Sequence, residues 1–390
     1  MNRVMNPFSP GAGAVPMELA GRGEIQTKIA ENLERIRIGR NSQGVILVGL
    51  RGVGKTVLLQ TVLTTAEGSG FHTINIEASE RKSLPAMLAP DIRTALLRLS
   101  RVEEVKDLAL RGLAALAGFA SKLKVTYNDI EVGLDLDPEP GLADNGDLEI
   151  DLTALLEQVG IAAQKARTAL VIFIDELQYI QEKEMSALIS ALHRCSQKKY
   201  PITVIAAGLP QLRGRMGDAK SYAERLFEFV DIGPLNKEYC IDAIRKPIEA
   251  ESESINDDAI DCIFENTHGY PYFIQEWGSH TWNIAKASPI TKEDVEVSTP
   301  ETIAKLDASF FMVRFDRLTP KEKEYLKAMA ILGPGPHRSG DIASRLDKDV
   351  KSLGPVRQSL IDKGMIWSPS HGDTAFTVPL FDQFLNRVMR

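Results

Sequence analysis

A glycine-rich loop in the first part of the chain has the residue types and spacing that phosphate chemistry requires. The loop reads GLRGVGKT from Gly49 to Thr56 and fits the pattern G-x-x-x-x-G-K-[ST] in full. Gly52 and Gly54 let the backbone curl so that its N–H groups point at phosphate oxygens, and the helix that follows adds its positive end. Lys55 would reach the β- and γ-phosphates, and the Thr56 hydroxyl would ligate Mg²⁺. The residues that we expect around ATP at this loop are Gly49, Arg51, Gly52, Val53, Gly54, Lys55, Thr56 and Val57.

An acidic pair follows the apolar run LVIFI, which spans residues 170–174. Asp175 is placed to hold the magnesium shell, and Glu176 is placed to orient and deprotonate an attacking water. A kinase of a small metabolite must exclude water and needs only one carboxylate, so the adjacent pair favours hydrolysis. The alternative is that the two acids only cap the next helix.

Five short apolar segments predict the sheet that positions these residues. They alternate with helical segments, which indicates a parallel sheet with helices on both faces, the α/β fold of P-loop NTPases. The segments are residues 45–49, 72–78, 170–174, 202–208 and 227–232.

The composition is that of an ordinary soluble globular protein, with 390 residues, 44% hydrophobic and 25% charged. No apolar run reaches the roughly 20 residues of a membrane helix. The nearest, Leu108 to Ala120, carries Arg111 and predicts a core or interface helix. Three widely spaced cysteines, which we interpret as reduced core thiols, favour the cytoplasm over an oxidising compartment. They are Cys195, Cys240 and Cys262.

The pattern of helix signals divides the chain into three parts. Residues 1–235 form the predicted ATPase core, with an insertion at about 101–150. Residues 236–318 form a helical lid, with starts at Asn236, Asn256 and Thr291, and a connecting helix capped by Thr299. Within the insertion, residues 124–137 alternate like a hairpin. The insertion is either a surface for docking a protein partner or an elaborated edge of the scaffold.

The last part, residues 319–390, predicts a winged helix-turn-helix: three helices followed by a two-stranded wing. It carries 11 Lys and Arg against 8 Asp and Glu, a charge of +3, while the whole chain carries −7. In a complex with double-stranded DNA the third helix would enter the major groove. The cations expected to contact DNA are Lys348, Lys351, Arg357 and Lys363. Winged helices also serve as protein-binding or packing modules, and that alternative stays open.

Taken in order, these motifs resemble the AAA+ ATPases of the origin-recognition and STAND type. The resemblance is carried by six segments and covers nearly the whole chain: ELAGRGEI (18–25), GLRGVGKT, FIDELQY (173–179), GLPQL (208–212), SYAERLFEF (221–229) and HGYPYFIQEW (268–277).

The resemblance implies further site residues beyond the loop and the acidic pair. Arg22, in the first segment, would lie beside the adenine. Arg225 would act as an arginine finger on the γ-phosphate of a neighbouring subunit, with Arg213 and Arg215 as rivals. His268 and Pro271 would lie near the nucleotide, the histidine as a sensor of phosphate state.

Two departures from the family affect the expected rate. The strand ending in IAAG (205–208) carries no polar sensor, and the lid segment HGYPYFI carries no sensor arginine. A slow ATP-driven switch, acting on DNA or in a homo-oligomer, therefore fits better than a motor. The rival hypotheses are a STAND-like signalling scaffold that binds a protein and has no DNA role, and a metabolic kinase.

Overall fold

The structure is a computed structural model that describes residues 1–11, 13–124 and 137–389. The hairpin predicted at residues 124–137 falls outside these ranges except at its two end residues. This part of the insertion therefore stays a prediction.

A five-stranded parallel sheet forms the centre of the first half, in the spatial order β2-β3-β4-β1-β5. Its strands are β1 (Gly44–Val48), β2 (His72–Glu77), β3 (Leu170–Asp175), β4 (Ile202–Gly208) and β5 (Phe227–Asp231). All residues of β1 and β4 are buried, as expected for strands covered on both faces. Because all strands are parallel, the P-loop after β1 and the acids at the end of β3 lie at the same edge of the sheet.

Within the described ranges, eight helices surround the sheet. They are α1 (Gly23–Arg37), α2 (Lys55–Gly68), α3 (Leu84–Leu99), α4 (Lys106–Leu123), α5 (Leu148–Lys165), α6 (Glu182–Gln197), α7 (Leu212–Ala219) and α8 (Ala223–Leu226). Helices α1 and α2 pack on one face, and α3 to α7 pack on the other around a second apolar core. This arrangement confirms the predicted P-loop NTPase fold.

The insertion between β2 and β3 contributes to this second core. Helix α4 contains the apolar run at residues 108–120, and its Leu113, Leu116 and Phe119 are at most 1% exposed. The segment is therefore a core helix. No helix in the described ranges is long and apolar enough to cross a membrane.

The lid consists of α9 (Lys237–Ala250), α10 (Asp257–Thr267), α11 (Pro271–Ile284) and α12 (Lys292–Leu306). The predicted starts are confirmed. The Asn236 side chain accepts a hydrogen bond from Tyr239 N at 2.9 Å, and Thr291 forms a capping box with Asp294. Residues near the start of the chain also belong to this unit, since Phe8 packs against Gly278 of α11.

The predicted connecting helix capped by Thr299 is wrong. Helix α12 runs through Pro300, and one π-helical turn (Asp307–Phe311) leads to α13 (Met312–Phe315). Contacts from α11 hold the helix on the N-terminal side of the proline. Thr281 hydrogen-bonds Ser298 at 2.9 Å, and Trp277 Nε1 donates to Thr299 Oγ1 at 3.1 Å. Tertiary packing thus overrides the local stop signal.

The C-terminal unit contains α14 (Pro320–Leu332), β6 (His337–Arg338), α15 (Ser339–Leu346), α16 (Val350–Asp362), β7 (Ile366–Trp367), β8 (Asp373–Phe376) and α17 (Phe381–Val388). Its strands form an antiparallel sheet in the order β6-β8-β7. Strand β6 and helix α17 were not predicted. The lid and this unit share one continuous apolar core. The division at residue 318 therefore stays a proposal.

The three cysteines are free and buried, as the sequence predicted. Burial raises the pKa of the Cys195 and Cys240 thiols to about 12. Both are therefore protonated and unreactive at neutral pH.

Candidate functional site

The P-loop adopts the curled backbone that its glycines predicted. Gly52 and Gly54 have φ of 81° and 88°, in the left-handed region that favours glycine. The Lys55 ammonium donates to the carbonyls of Gly49 at 3.0 Å and Leu50 at 2.8 Å. Burial lowers the pKa of Lys55 to about 8, although Glu176 acts in the opposite direction. The loop thus holds a desolvated cation where an anionic phosphate would stabilise it.

Thr56 and Asp175 come together as the predicted magnesium ligands. Thr56 lies in the first turn of α2, and Asp175 ends β3. Burial raises the pKa of Asp175, and a hydrogen bond from the Thr56 side chain opposes this shift. One hydroxyl and one carboxylate, completed by phosphate oxygens and water, suit the hard oxygen coordination of Mg²⁺. The residues therefore fit the ion that the fold implies.

Glu176 is held from several sides at the end of β3. Its backbone lies in the left-handed region, with φ of 51°, and its N–H donates to Asp175 Oδ1 at 2.8 Å. Arg51 Nη1 forms an ion pair with its Oε1 at 3.4 Å, and the side-chain amide of Gln178 donates to its Oε2. Arg51 also donates to Tyr179 Oη at 3.1 Å. The sequence did not single out Gln178, although it lies within the quoted acidic motif.

The P-loop backbone contacts both the lid and the C-terminal unit. Tyr272 N, in the first turn of α11, donates to Gly52 O at 3.1 Å. Arg51 N donates to Thr377 O, just after β8, at 3.1 Å. Thr377 is fully buried, and no local sequence signal marks it as a neighbour of the loop.

An aromatic chain extends this connection through the lid. Tyr272 stacks on Phe310 with ring centroids 4.7 Å apart, and Phe310 contacts Phe311 at 5.1 Å. Phe311 in turn stacks on Phe384 of α17 at 5.2 Å. Arg314 lies over Phe310 at 4.1 Å. Burial and the nearby Arg51 lower the pKa of Arg314 to about 10. Packed rings thus connect the P-loop with the last helix.

The residues inferred from the resemblance occupy different positions relative to the loop. Arg22 occupies the N-cap position of α1, and its guanidinium donates to Gly233 O at 2.6 Å and to Val53 O at 3.4 Å, so it lies against the P-loop. Pro271 starts α11, beside Tyr272. The His268 side chain is exposed and, within the described residues, makes no hydrogen bond to the loop.

Among the described residues, none of the three candidate arginine fingers hydrogen-bonds or ion-pairs with the P-loop or with Glu176. Arg225 is exposed, and its carbonyl accepts a bond at 3.0 Å from Gln43, which precedes β1. It therefore lies at the end of the sheet opposite the P-loop. The two ends are about 16 Å apart, the length of a five-residue strand at about 3.3 Å per residue. Arg213 pairs with Asp231 at 2.8 Å. Arg215 donates to the carbonyls of Gln178 and Ile180.

Three of the four cations predicted to contact DNA are engaged inside the C-terminal unit. Lys348 pairs with Glu324 at 2.9 Å, and Lys363 pairs with the buried Glu322 at 2.7 Å. Arg357 donates at 2.9 Å to Thr374, Ser368 and the Asp373 carbonyl. Lys351 is exposed on the first turn of α16.

Two family matches cover separate parts of the chain. Residues 18–205 match the AAA ATPase domain, and residues 308–385 match a family described as a domain of unknown function (DUF8462). No curated protein matches the chain.

Several solved structures are similar to this chain. The Walker-type ATPase PABY2304 of Pyrococcus abyssi is 16% identical, with a TM-score of 0.57, over 94% of this chain and 96% of the other. The ORC1 protein of Aeropyrum pernix, solved in complex with DNA, is 15% identical over 96% and 94% of the two chains, with a TM-score of 0.48. A RuvB variant of Thermotoga maritima is 16% identical over 92% and 93%, with a TM-score of 0.46. Only the fold is shared at such identities, and the two weaker likenesses carry no further meaning.

Proposed function

We propose that this chain, whose residues 18–205 match the AAA ATPase domain, is a switch driven by the binding and hydrolysis of ATP. In this proposal the state of the terminal phosphate sets how the lid and the C-terminal unit are held. A single observation carries the proposal: the P-loop backbone bonds directly to both units, through Gly52 and Arg51. A loop that cradles phosphate therefore cannot change its geometry without affecting these two contacts.

Different residues around the loop have different roles in hydrolysis. The loop amides and Lys55 bind the phosphates, since Lys55 can exchange its two carbonyl partners for phosphate oxygens. Thr56 and Asp175 would hold Mg²⁺, which would neutralise charge on the phosphates when bound. Glu176 accepts a proton from the attacking water. Arg51, which now pairs with Glu176, lies where the incoming phosphate would compete for its guanidinium.

Two variants and one exchange measurement test the switch. We expect Lys55→Ala to abolish ATP binding, and Glu176→Gln to bind ATP but not hydrolyse it. In the Glu176→Gln protein, hydrogen exchange at the α16–β8 region and at α11 should differ between ATP and ADP. Identical exchange with both nucleotides would contradict a switch. Normal hydrolysis by Glu176→Gln would contradict the assignment of the base. Phosphate release to water alone would exclude the metabolic kinase.

We also propose that the C-terminal unit is a winged helix that contacts double-stranded DNA. Helices α14, α15 and α16 precede the β7–β8 hairpin, and the exposed Lys351 supports phosphate contact. The internal pairing of Lys348, Arg357 and Lys363 favours the rival, a scaffold that binds a protein.

A salt series with the Glu176→Gln protein and ATP separates these two outputs. DNA affinity should fall steeply with salt because bound phosphates release counterions, and Lys351→Ala should reduce the slope by about one. Absence of DNA binding at low salt would assign the unit to a protein partner.

Self-association is part of the same proposal. Arg225 lies too far from its own P-loop and is exposed, so its role as a finger requires a second copy of the chain. The buried, protonated thiols are consistent with the cytoplasm as the compartment. A partner surface on the insertion remains a proposal as well.

A further inference from the structure

The end of β4 carries no polar side chain of its own and is occupied by a side chain from a different element. Strand β4 ends at Gly208, and the next residue, Leu209, donates its N–H to Gln178 Oε1 at 3.1 Å. A Cβ atom added at Gly208 would lie 2.5 Å from the same Oε1. A side chain on Gly208 and the present position of Gln178 are therefore mutually exclusive.

The amide of Gln178 is oriented by its two partners. Leu209 N–H is a donor, so it must face the amide oxygen, and the Glu176 carboxylate is an acceptor, so it must face the amide nitrogen. Reversing the amide would break both bonds. The Gln178 side chain thus joins the end of β4 to Glu176 in a single orientation.

The backbone of Gln178 is fixed independently of its side chain. Arg215 of α7 donates to the carbonyls of Gln178 and Ile180, on either side of Tyr179. Gln178 is only 6% exposed. A buried amide whose backbone and side chain are both held loses little further freedom when it orients a neighbouring carboxylate.

We infer that Gln178 is a positioning residue for Glu176. This inference rests on the proposed hydrolysis of ATP. The donated N–H of Gln178 fixes the Glu176 carboxylate, while the bond to Leu209 makes that orientation depend on β4. The residue acts through Glu176 and not by contact with the nucleotide.

Two substitutions separate positioning from packing. Gln178→Met keeps the length of the side chain and removes both hydrogen bonds. Gln178→Glu keeps the acceptor for Leu209 N–H and removes the donor to Glu176. We expect each to lower kcat for ATP about 10- to 100-fold, part of the 10²–10⁴-fold that a positioned base contributes. The ATP dissociation constant should stay within about twofold, since Lys55 and the loop are untouched.

A matched control lies three residues further along the same turn. Gln181 is exposed at the start of α6, and Gln181→Met should leave kcat and ATP affinity at the wild-type values. In the Glu176→Gln background, which is expected to bind ATP without hydrolysing it, Gln178→Met should leave ATP affinity unchanged, because its effect passes through the carboxylate.

The outcomes distinguish this inference from the proposed function. If the wild-type protein hydrolyses ATP and Gln178→Glu keeps the full kcat, the inference about Gln178 is wrong while the proposed ATPase function stands. A loss of ATP affinity as large as the loss of kcat in that variant would also overturn the inference, because packing would then explain both. Gln178→Glu decides the matter if Gln178→Met does not fold. A wild-type protein that binds ATP and never hydrolyses it would overturn both.

Discussion

Glu322 of α14 is a buried charged group in the C-terminal unit. Its side chain is 4% exposed and accepts hydrogen bonds of 2.7 Å from Lys363 Nζ, Ser359 Oγ and Thr319 N. Burial would raise the pKa of Glu322, but the bonds from Lys363, Thr319 and Ser359 outweigh it and lower the pKa to about 2. The carboxylate therefore stabilises the folded chain only while it is ionised.

The magnitude follows from linkage between protonation and folding. The difference between an ordinary pKa of 4.5 and a folded pKa of about 2 corresponds to about 3 kcal/mol at neutral pH. The side chain of Lys363 is 36% exposed, so solvent screens part of the ion pair. We therefore expect Glu322→Gln to lower the free energy of unfolding by about 2–3 kcal/mol at pH 7.

The pH dependence has a defined sign. Because folding lowers the pKa of Glu322, its contribution is complete above pH 4.5 and is lost as the pH falls through about 2. The difference in stability between wild type and Glu322→Gln should shrink over this range. Urea unfolding followed by tryptophan fluorescence measures it, since all three tryptophans, Trp277, Trp282 and Trp367, lie in the lid and the C-terminal unit.

A neighbouring glutamate provides the control. Glu324 lies on the same helix and pairs with Lys348, but their side chains are 50% and 40% exposed. Glu324→Gln should change the stability by less than about 1 kcal/mol. A Glu322→Gln protein as stable as Glu324→Gln at pH 7, or a difference that persists unchanged at pH 3, would refute the reasoning.

Three further predictions concern the loop, the oligomer and the aromatic chain. Because the pKa of Lys55 is about 8 and phosphate binding favours its charged form, ATP affinity should fall as the pH rises above 8. Calorimetry at pH 8.5 in two buffers should then detect proton uptake, and its absence would contradict a lowered pKa. Arg225→Ala should keep ATP affinity and lose hydrolysis. Mixing the Arg225→Ala and Lys55→Ala proteins should restore turnover, because the second protein supplies Arg225 to the intact P-loop of the first. Failure to restore it would exclude a finger acting between copies. Phe311→Ala should destabilise the protein by about 3–5 kcal/mol, because the Phe311 ring is buried. Val313 is half-exposed, so Val313→Ala should cause almost no change. Equal unfolding midpoints for the two variants would disprove the packing argument.

The parts of the fold with strong local chemistry could be predicted from the sequence. The glycine positions of the P-loop, the apolar strands and the caps at Asn236 and Thr291 each depend on a few adjacent residues. The short strand β6 could not be predicted, because two residues show no period and it forms only by pairing with β8. Pro300 misled the prediction of α12, because the contacts that hold the helix come from α11.

The residues of the candidate site likewise differ in whether local sequence could predict them. Lys55, Thr56, Asp175 and Glu176 lie in motifs whose spacing carries the chemistry. Thr377 approaches the loop from more than 300 residues away, which no local pattern records. Gln178 was visible as a polar residue in the acidic motif, but its role depends on Leu209, which is brought near only by the sheet order.

The attachment of residues near the start of the chain to the lid has a consequence for synthesis. Asn6 donates to the Ser279 carbonyl at 3.1 Å, across 273 positions of sequence. A ribosome that adds roughly 5–20 residues per second needs about 14–55 s to reach that partner. During this interval all five strands of the parallel sheet are synthesised, while α11, which later covers Phe8, is not yet present. Phe8 therefore lacks its native packing partner until α11 leaves the exit tunnel.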